Sequence, residues 1–283
     1  MLFSPFFLGK GLFVHTKTLL KKLFTLRGET TARQNVLYGV IGITLWLFSW
    51  WFTTEVGWMP QKIAPGPFTV LGAIPDMHFH HELVRNVWYT LEMNLTGTLI
   101  AIIISLPLGL ALGLVPLFRG MSAPFFVGLR FIPLPVITIL FMFWLGIGYM
   151  MKTSFLTFAI IVYLVPTVMQ RVTEVRQVYI DTANTLGANW WQLVRHVFIP
   201  DVFARAWDDI VILVGLSWTY ISIVELINEG DGGIGAMIYM AQRTHHIEQY
   251  YALLLVIMLI AFIQTKVFAW VGDYLFPYKK LGA

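Results

Sequence analysis

Five histidines are the first residues here that could do chemistry: His78, His80 and His81 in one polar stretch, His245 and His246 in another. Imidazoles hold zinc when several converge with fixed geometry, and they titrate near neutrality. Their spacing forces no convergence and no HExxH pattern accompanies them, so the expectation is a pair of solvated loops and no metal site. The absence of cysteine excludes thiolate metal sites, a cysteine nucleophile and a disulfide framework. There is no Ser-His-Asp set with a nucleophile elbow and no dinucleotide fingerprint. Gly11 to Thr18 ends in Lys-Thr, yet Thr16 stands where a phosphate loop needs its second glycine. No catalytic residue and no cofactor on this chain are predicted.

Two polar places remain. One is Ile180 to Pro200, IDTANTLGANWWQLVRHVFIP, an island in an apolar sequence. It divides into helical pieces Tyr179 to Leu186 and Asn189 to Val197, parted by Gly187 and closed by Pro200, which predicts helix, sharp turn, helix, stop. The other is Glu225. Only about 22 Å of charge-free helix separates it from Asp209, against a hydrocarbon core of about 30 Å, so a carboxylate is drawn toward the bilayer interior. Ser217, Thr219, Ser222 and Glu225 then form a partly polar stripe, a candidate translocation path or gate. The alternative is that Glu225 ties its helix end to the following glycine loop by hydrogen bonds.

The elements that carry these residues are membrane helices. With 58% hydrophobic and 12% charged residues over 283 positions, and a mean hydropathy of +0.73, the sequence describes an all-α polytopic membrane protein. Six charge-poor runs are candidate spans: Val36 to Phe52, Leu95 to Val115, Phe131 to Ile147, Ser154 to Met169, Ile210 to Leu226 and Tyr251 to Trp270. Prolines at 107, 133, 135 and 166 predict kinks. Residues 10 to 24 interleave lysines with Leu and Phe as a basic amphipathic helix on the membrane surface, and nucleic acid is not an expected partner. The start offers no small-residue cleavage site and is not read as a signal peptide.

Positive charge sets the expected orientation. An N-terminus inside puts Lys10, Lys17, Lys21, Lys22, Arg27, Arg33, Arg119, Arg130, Arg171, Arg176, Arg195, Arg205, Lys279 and Lys280 in the cytoplasm. Only Lys62, Arg85, Lys152 and Arg243 then face out. The organisation expected is a cytoplasmic segment 1–33 and a transmembrane domain 34–283, with a cytoplasmic loop 171–208.

Asp181, Thr182 and Ala183, then Gly187, then Val197, Ile199 and Pro200, resemble the Glu-Ala-Ala loop of ABC-importer permeases, with Asp181 in place of Glu and Thr182 in place of the first Ala. Ala64 to Ile74, Leu129 to Gly148, and Ser217 to Leu226 followed by Gly232 to Gly235 resemble the nitrate, sulfonate, taurine and bicarbonate permeases. The likeness covers about residues 63 to 270. It implies the type I ABC-importer permease fold in a cytoplasmic (inner) membrane of bacteria. It also implies a second permease chain, identical or different, and two cytoplasmic ATPase subunits that carry ATP and Mg. An extracytoplasmic binding protein would deliver a small solute, an anion or an uncharged precursor. Coupling to the ATPase would fall to Asp181, Thr182, Ala183, Leu186, Gly187, Ala188, Trp190, Trp191 and Pro200. Rival readings are a stand-alone carrier or channel, for which no inverted repeat is visible, and a metal hydrolase built on the histidines.

Overall fold

The computed structural model describes residues 30–227 and 232–281. The amphipathic helix expected over 10–24 and the insert 228–231 lie outside them. Helix α1, Ala32–Glu55, forms a unit of its own. It begins at a capping box in which Gln34 Oε1 accepts the Thr31 N–H at 2.9 Å and Thr31 Oγ1 accepts the Gln34 N–H at 3.4 Å. Its 24 residues cover about 36 Å at 1.5 Å each, enough to cross a bilayer. Val36, Leu37, Val40, Ile43, Leu45 and Trp46 make its surface apolar, as a helix facing lipid must be.

Residues 62–283 form the second unit. In order come α2 (Pro67–His80), α3 (Leu83–Leu114), α4 (Pro116–Arg130), α5 (Leu134–Leu145), α6 (Tyr149–Thr173), α7 (Gln177–Thr185), α8 (Trp190–Ile227), α9 (Ile234–Arg243) and α10 (Ile247–Leu275), ending in a 3₁₀ turn, Pro277–Leu281. Helices α1, α3, α6, α8 and α10 are each long and apolar enough to cross a membrane.

The centre is the pair α3 and α6. Along α3 a small residue recurs at every fourth place, Gly97, Ala101, Ser105, Gly109 and Gly113, and such a row lets two backbones approach closely. A Cβ on Gly109 would stand 2.6 Å from Val168 Cβ and 2.8 Å from the Val165 carbonyl oxygen. Gly113 meets Val172 and Gly97 meets Leu156 in the same way. Helix α8 packs on α6, and α10 packs on α8.

Four features differ from the sequence expectation. The third run, expected as one span over Phe131 to Ile147, holds only α5, which meets α4 before it at 99°. Pro133 caps α5 and Pro135 lies in its first turn. Neither donates an N–H and each restricts the residue before it, so a helix can start here but not run through. Helix α5 alone, 12 residues or about 18 Å, is too short to cross.

Secondly, Pro200 does not end a helix. Val194–Phe198 is a π turn, with the Ile199 N–H bonded to the Val194 carbonyl. Widening the helix just before the proline gives its ring room beside the preceding carbonyls, and α8 continues unbroken to Ile227. Thirdly, the stretches expected as outer loops contain helices α2 and α9. Helix α2 buries Val70, Ala73 and Met77 and exposes Phe68, Leu71 and Phe79. Lastly, Lys152, assigned above to an outer segment, is fully buried in the first turn of α6. Its ammonium lies 5.5 Å from the centre of the Tyr89 ring and interacts with the charge of Glu225.

Candidate functional site

The polar island forms a helix, a turn and a second helix. Gly187 takes φ +77°, a left-handed conformation that a Cβ resists. The Gly187 N–H bonds the Asn184 carbonyl at 2.9 Å and the Ala188 N–H bonds the Ala183 carbonyl at 3.0 Å. These two bonds satisfy the carbonyls at the end of α7 in a Schellman turn, which dictates the distance from Ala183 to Gly187. Asn189 then opens α8 with a capping box, its side chain accepting from the Gln192 N–H at 2.9 Å. Asp181 accepts from Gln177 at 2.9 Å on the surface of α7.

Helix α7 buries none of its residues. At the tip Leu186 is 82% exposed, Trp190 66% and Trp191 59%. Among the described residues this apolar tip has no cover, which is the character of a contact surface. Thr182, Ala183, Leu186 and Pro200 line one groove of about 790 Å³ with Arg176, Tyr179, His196, Arg205, Tyr278 and Lys279. Asp181, Gly187, Ala188, Trp190 and Trp191 lie outside that lining. The terminal turn closes one side of the groove, where the Tyr278 hydroxyl donates to the Pro200 carbonyl at 2.9 Å.

The four residues of the polar stripe separate. Ser217 and Glu225 are fully buried within the chain, Ser222 is half-buried and Thr219 is exposed. Glu225 Oε1 accepts from Thr90 Oγ1 at 2.7 Å, and Oε2 accepts from the Gly235 N–H at 2.8 Å. Thr90 also accepts the Ile234 N–H at 2.9 Å, and Asn86 accepts the Gly233 N–H at 2.8 Å. Three otherwise orphaned N–H groups at the start of α9 are thereby satisfied by side chains of α3 and α8, and the carboxylate faces the positive end of α9. A Cβ on Gly233 or Gly235 would collide with Glu225, so both positions need glycine. These are the bonds of the capping alternative.

Ser217 belongs to a second buried set that sequence reasoning missed. Asn94 Nδ2 donates to Ser217 Oγ at 2.9 Å, Gln264 Nε2 to Asn94 Oδ1 at 2.9 Å, and Trp218 Nε1 to Gln264 Oε1 at 2.7 Å. The network joins α3, α8 and α10. The available signal was Asn94, just before one apolar run, and Gln264, inside another, because a polar group in hydrocarbon needs a partner.

The histidines meet in part. Asp76 accepts from His80 Nδ1 at 2.9 Å and from Gln249 at 3.1 Å, with His81 Nε2 at 3.7 Å, so α2 and α10 share this carboxylate. His246 pairs with Glu248 at 3.1 Å. Among the described residues no three or more His, Asp or Glu are arranged to hold a metal ion.

The described residues thus form a bundle of membrane-length helices that carries the exposed helix α7. Residues 88–279 match the family model described as "Binding-protein-dependent transport system inner membrane component". The chain belongs to that family, the permease subunits of ABC importers. It is 25% identical over 253 residues to the taurine transport system permease protein TauC of Escherichia coli (strain K12), covering 85% of this chain and 92% of that one. It is 22% identical over 233 residues to the phosphate-import permease protein PhnE of Mycolicibacterium smegmatis, covering 81% of this chain and 42% of that one. Among solved structures, the inward-facing MetNI methionine ABC transporter superposes with a TM-score of 0.57 at 22% identity, over 69% of this chain and 94% of that one. An amino acid ABC transporter with histidines gives 0.55 at 15% identity, over 71% and 96%. The fold is therefore that of ABC-importer permeases.

Proposed function

We propose that the chain carries a small solute across the membrane by docking α7 and the Leu186, Trp190 and Trp191 tip onto a separate ATPase subunit. The observation that carries this reading is the uncovered apolar tip, built on a turn whose glycine and caps give it one shape. Two such ATPases would bind ATP and Mg. A second copy of this chain or a related one would complete the path, lipid would surround the apolar helices, and an extracytoplasmic binding protein would deliver the solute. Asp181, Thr182, Ala183, Gly187, Ala188 and Pro200 shape the docking element. Thr219 and Ser222 are the stripe residues open to a path, while Ser217 and Glu225 hold the bundle that forms it.

A small anion such as taurine, another sulfonate, nitrate or bicarbonate is the solute class this reading favours, supported by the relative named for taurine. A relative named for phosphate import keeps the class wide. ATP binding can drive transport only if it favours one arrangement of the permease over another.

Gly187→Val tests the docking. A Cβ at this position meets nothing within 4 Å, so the whole cost is backbone strain of roughly 1 to 3 kcal/mol. Co-purified ATPase should fall by about tenfold per 1.4 kcal/mol lost at the interface, with membrane insertion unchanged. Undiminished ATPase yield with full transport would sink the assignment. Orientation is tested separately, by single cysteines at Asn189 and Thr244 probed with an impermeant thiol reagent on intact cells. The charge asymmetry predicts labelling at 244 and none at 189 until the cells are opened. The reverse pattern would place α7 outside, where no ATP-driven motor could reach it.

A further inference from the structure

The end of the bundle that carries α7 is laced together by charged groups. Arg171, in the last turn of α6, donates from Nε and Nη2 to the two oxygens of Asp209 on α8, at 2.8 and 2.9 Å. Its Nη1 donates to Glu174 Oε2 at 2.6 Å. Arg205, one turn from Asp209 along α8, donates to the Glu174 main-chain carbonyl at 3.1 Å and pairs with Asp201. Two guanidinium groups thereby grip Glu174, where the chain leaves α6 for α7.

The side chains are partly sheltered, 28% exposed at Arg171 and 19% at Asp209. A two-pronged guanidinium–carboxylate pair sets orientation as well as distance, and shelter reduces its screening. The same contact with Arg171 holds the Glu174 carboxyl below the ordinary carboxylate range. Helix α7 buries no side chain, so its place relative to α8 is set where the chain enters it, at 174–176, and where it leaves, at the Gly187 turn.

We propose that Arg171, Glu174, Arg205 and Asp209 form a clasp that makes the root of α7 and the shaft of α8 move as one body. Tying Glu174 to α8 closes the segment 174–205 at its base, so a push on α7 is passed into α6 and α8 together. Arg171 and Asp209 are positioning residues: they touch neither solute nor nucleotide, and act through the stiffness they give the joint. The source of the push rests on the ATPase docking proposed above; the clasp itself is a property of this chain alone.

Because the sequence has no cysteine, spin labels on Thr185→Cys in α7 and Ile212→Cys on the exposed side of α8 report one intramolecular distance. In the purified chain in lipid nanodiscs the distance should be single and narrow. Asp209→Asn should broaden the distribution about twofold, because the lone guanidinium loses its two-pronged partner. Asp209→Glu, which keeps a carboxylate for Arg171, should stay narrow, and Arg171→Gln should broaden as Asp209→Asn does. The Arg171→Gln variant decides the matter if Asp209→Asn fails to insert. With the co-purified ATPase trapped by ATP and vanadate, the unaltered joint should keep its distance.

Asn and Gln variants as narrow as the unaltered chain would overturn the clasp, and so would a shift of the unaltered joint on trapping. If no ATPase co-purifies, the docking reading fails by itself, and the widths in the isolated chain still decide the clasp.

Discussion

Gly109→Leu is expected to cost more stability than any other single change at the α3–α6 contact. A leucine here must displace Val168 and meets the Val165 carbonyl, which belongs to the α6 backbone and cannot turn aside. Overpacking in a yielding core costs about 1 to 3 kcal/mol, and a site closed by backbone lies at or beyond the upper end. The membrane supplies no hydrophobic drive to press the helices back together, since lipid tails solvate leucine as well as protein does. Gly109→Ala should lose less, because a single methyl needs a smaller separation. Gly42→Leu on α1, where a Cβ meets nothing within 4 Å, should lose nothing measurable. Thermal or detergent denaturation of the purified chain checks the order. Equal midpoints for the leucine variants at 42 and 109 would show that the small-residue row does not set the helix spacing.

The second large effect is expected at Glu225. Glu225→Ala removes the acceptor of the Gly235 N–H and of the Thr90 hydroxyl together, and takes away the carboxylate charge near Lys152. Losing one member of a buried charged network costs roughly 3 to 5 kcal/mol. Hydrogen exchange at the first amides of α9 should accelerate by about 100-fold or more, since each 1.4 kcal/mol is tenfold in an equilibrium constant. Glu225→Gln keeps the shape but has one acceptor oxygen where the carboxylate uses two, so about 1 to 3 kcal/mol should be lost. The amide cannot be treated as a neutral copy of this carboxylate. Unchanged protection of Ile234 and Gly235 in the alanine variant would remove Glu225 from the role of cap.

These sites differ in how far the sequence could announce them. The turn at Gly187 was legible because its chemistry is local: the Schellman bonds reach from Asn184 and Ala183 to Gly187 and Ala188, and the Asn189 cap spans three positions. The long apolar runs were legible because a bilayer demands about 20 such residues whatever surrounds them. Pro200 and the break before α5 were harder. A proline limits its own neighbourhood, but whether a helix stops, bends or widens into a π turn depends on what receives the freed carbonyls. At Pro200 the missing N–H is accommodated by the π turn, where the Ile199 N–H reaches back to the Val194 carbonyl.

By itself the sequence determined the membrane class, the apolar spans and the local turn that presents Leu186, Trp190 and Trp191, because each follows from composition or from bonds within a few residues. Only the tertiary structure decided that Glu225 and Ser217 are sealed inside, and that Asn94, Gln264 and Lys152 are buried with partners. Only there does the row from Gly97 to Gly113 meet another backbone. The reason is the same in each case: a polar group or a glycine in an apolar helix looks alike whether it faces a path, lipid or a neighbour. The partner that distinguishes these fates stands more than a hundred residues away for Glu225 and Thr90, and for Asn94 and Gln264.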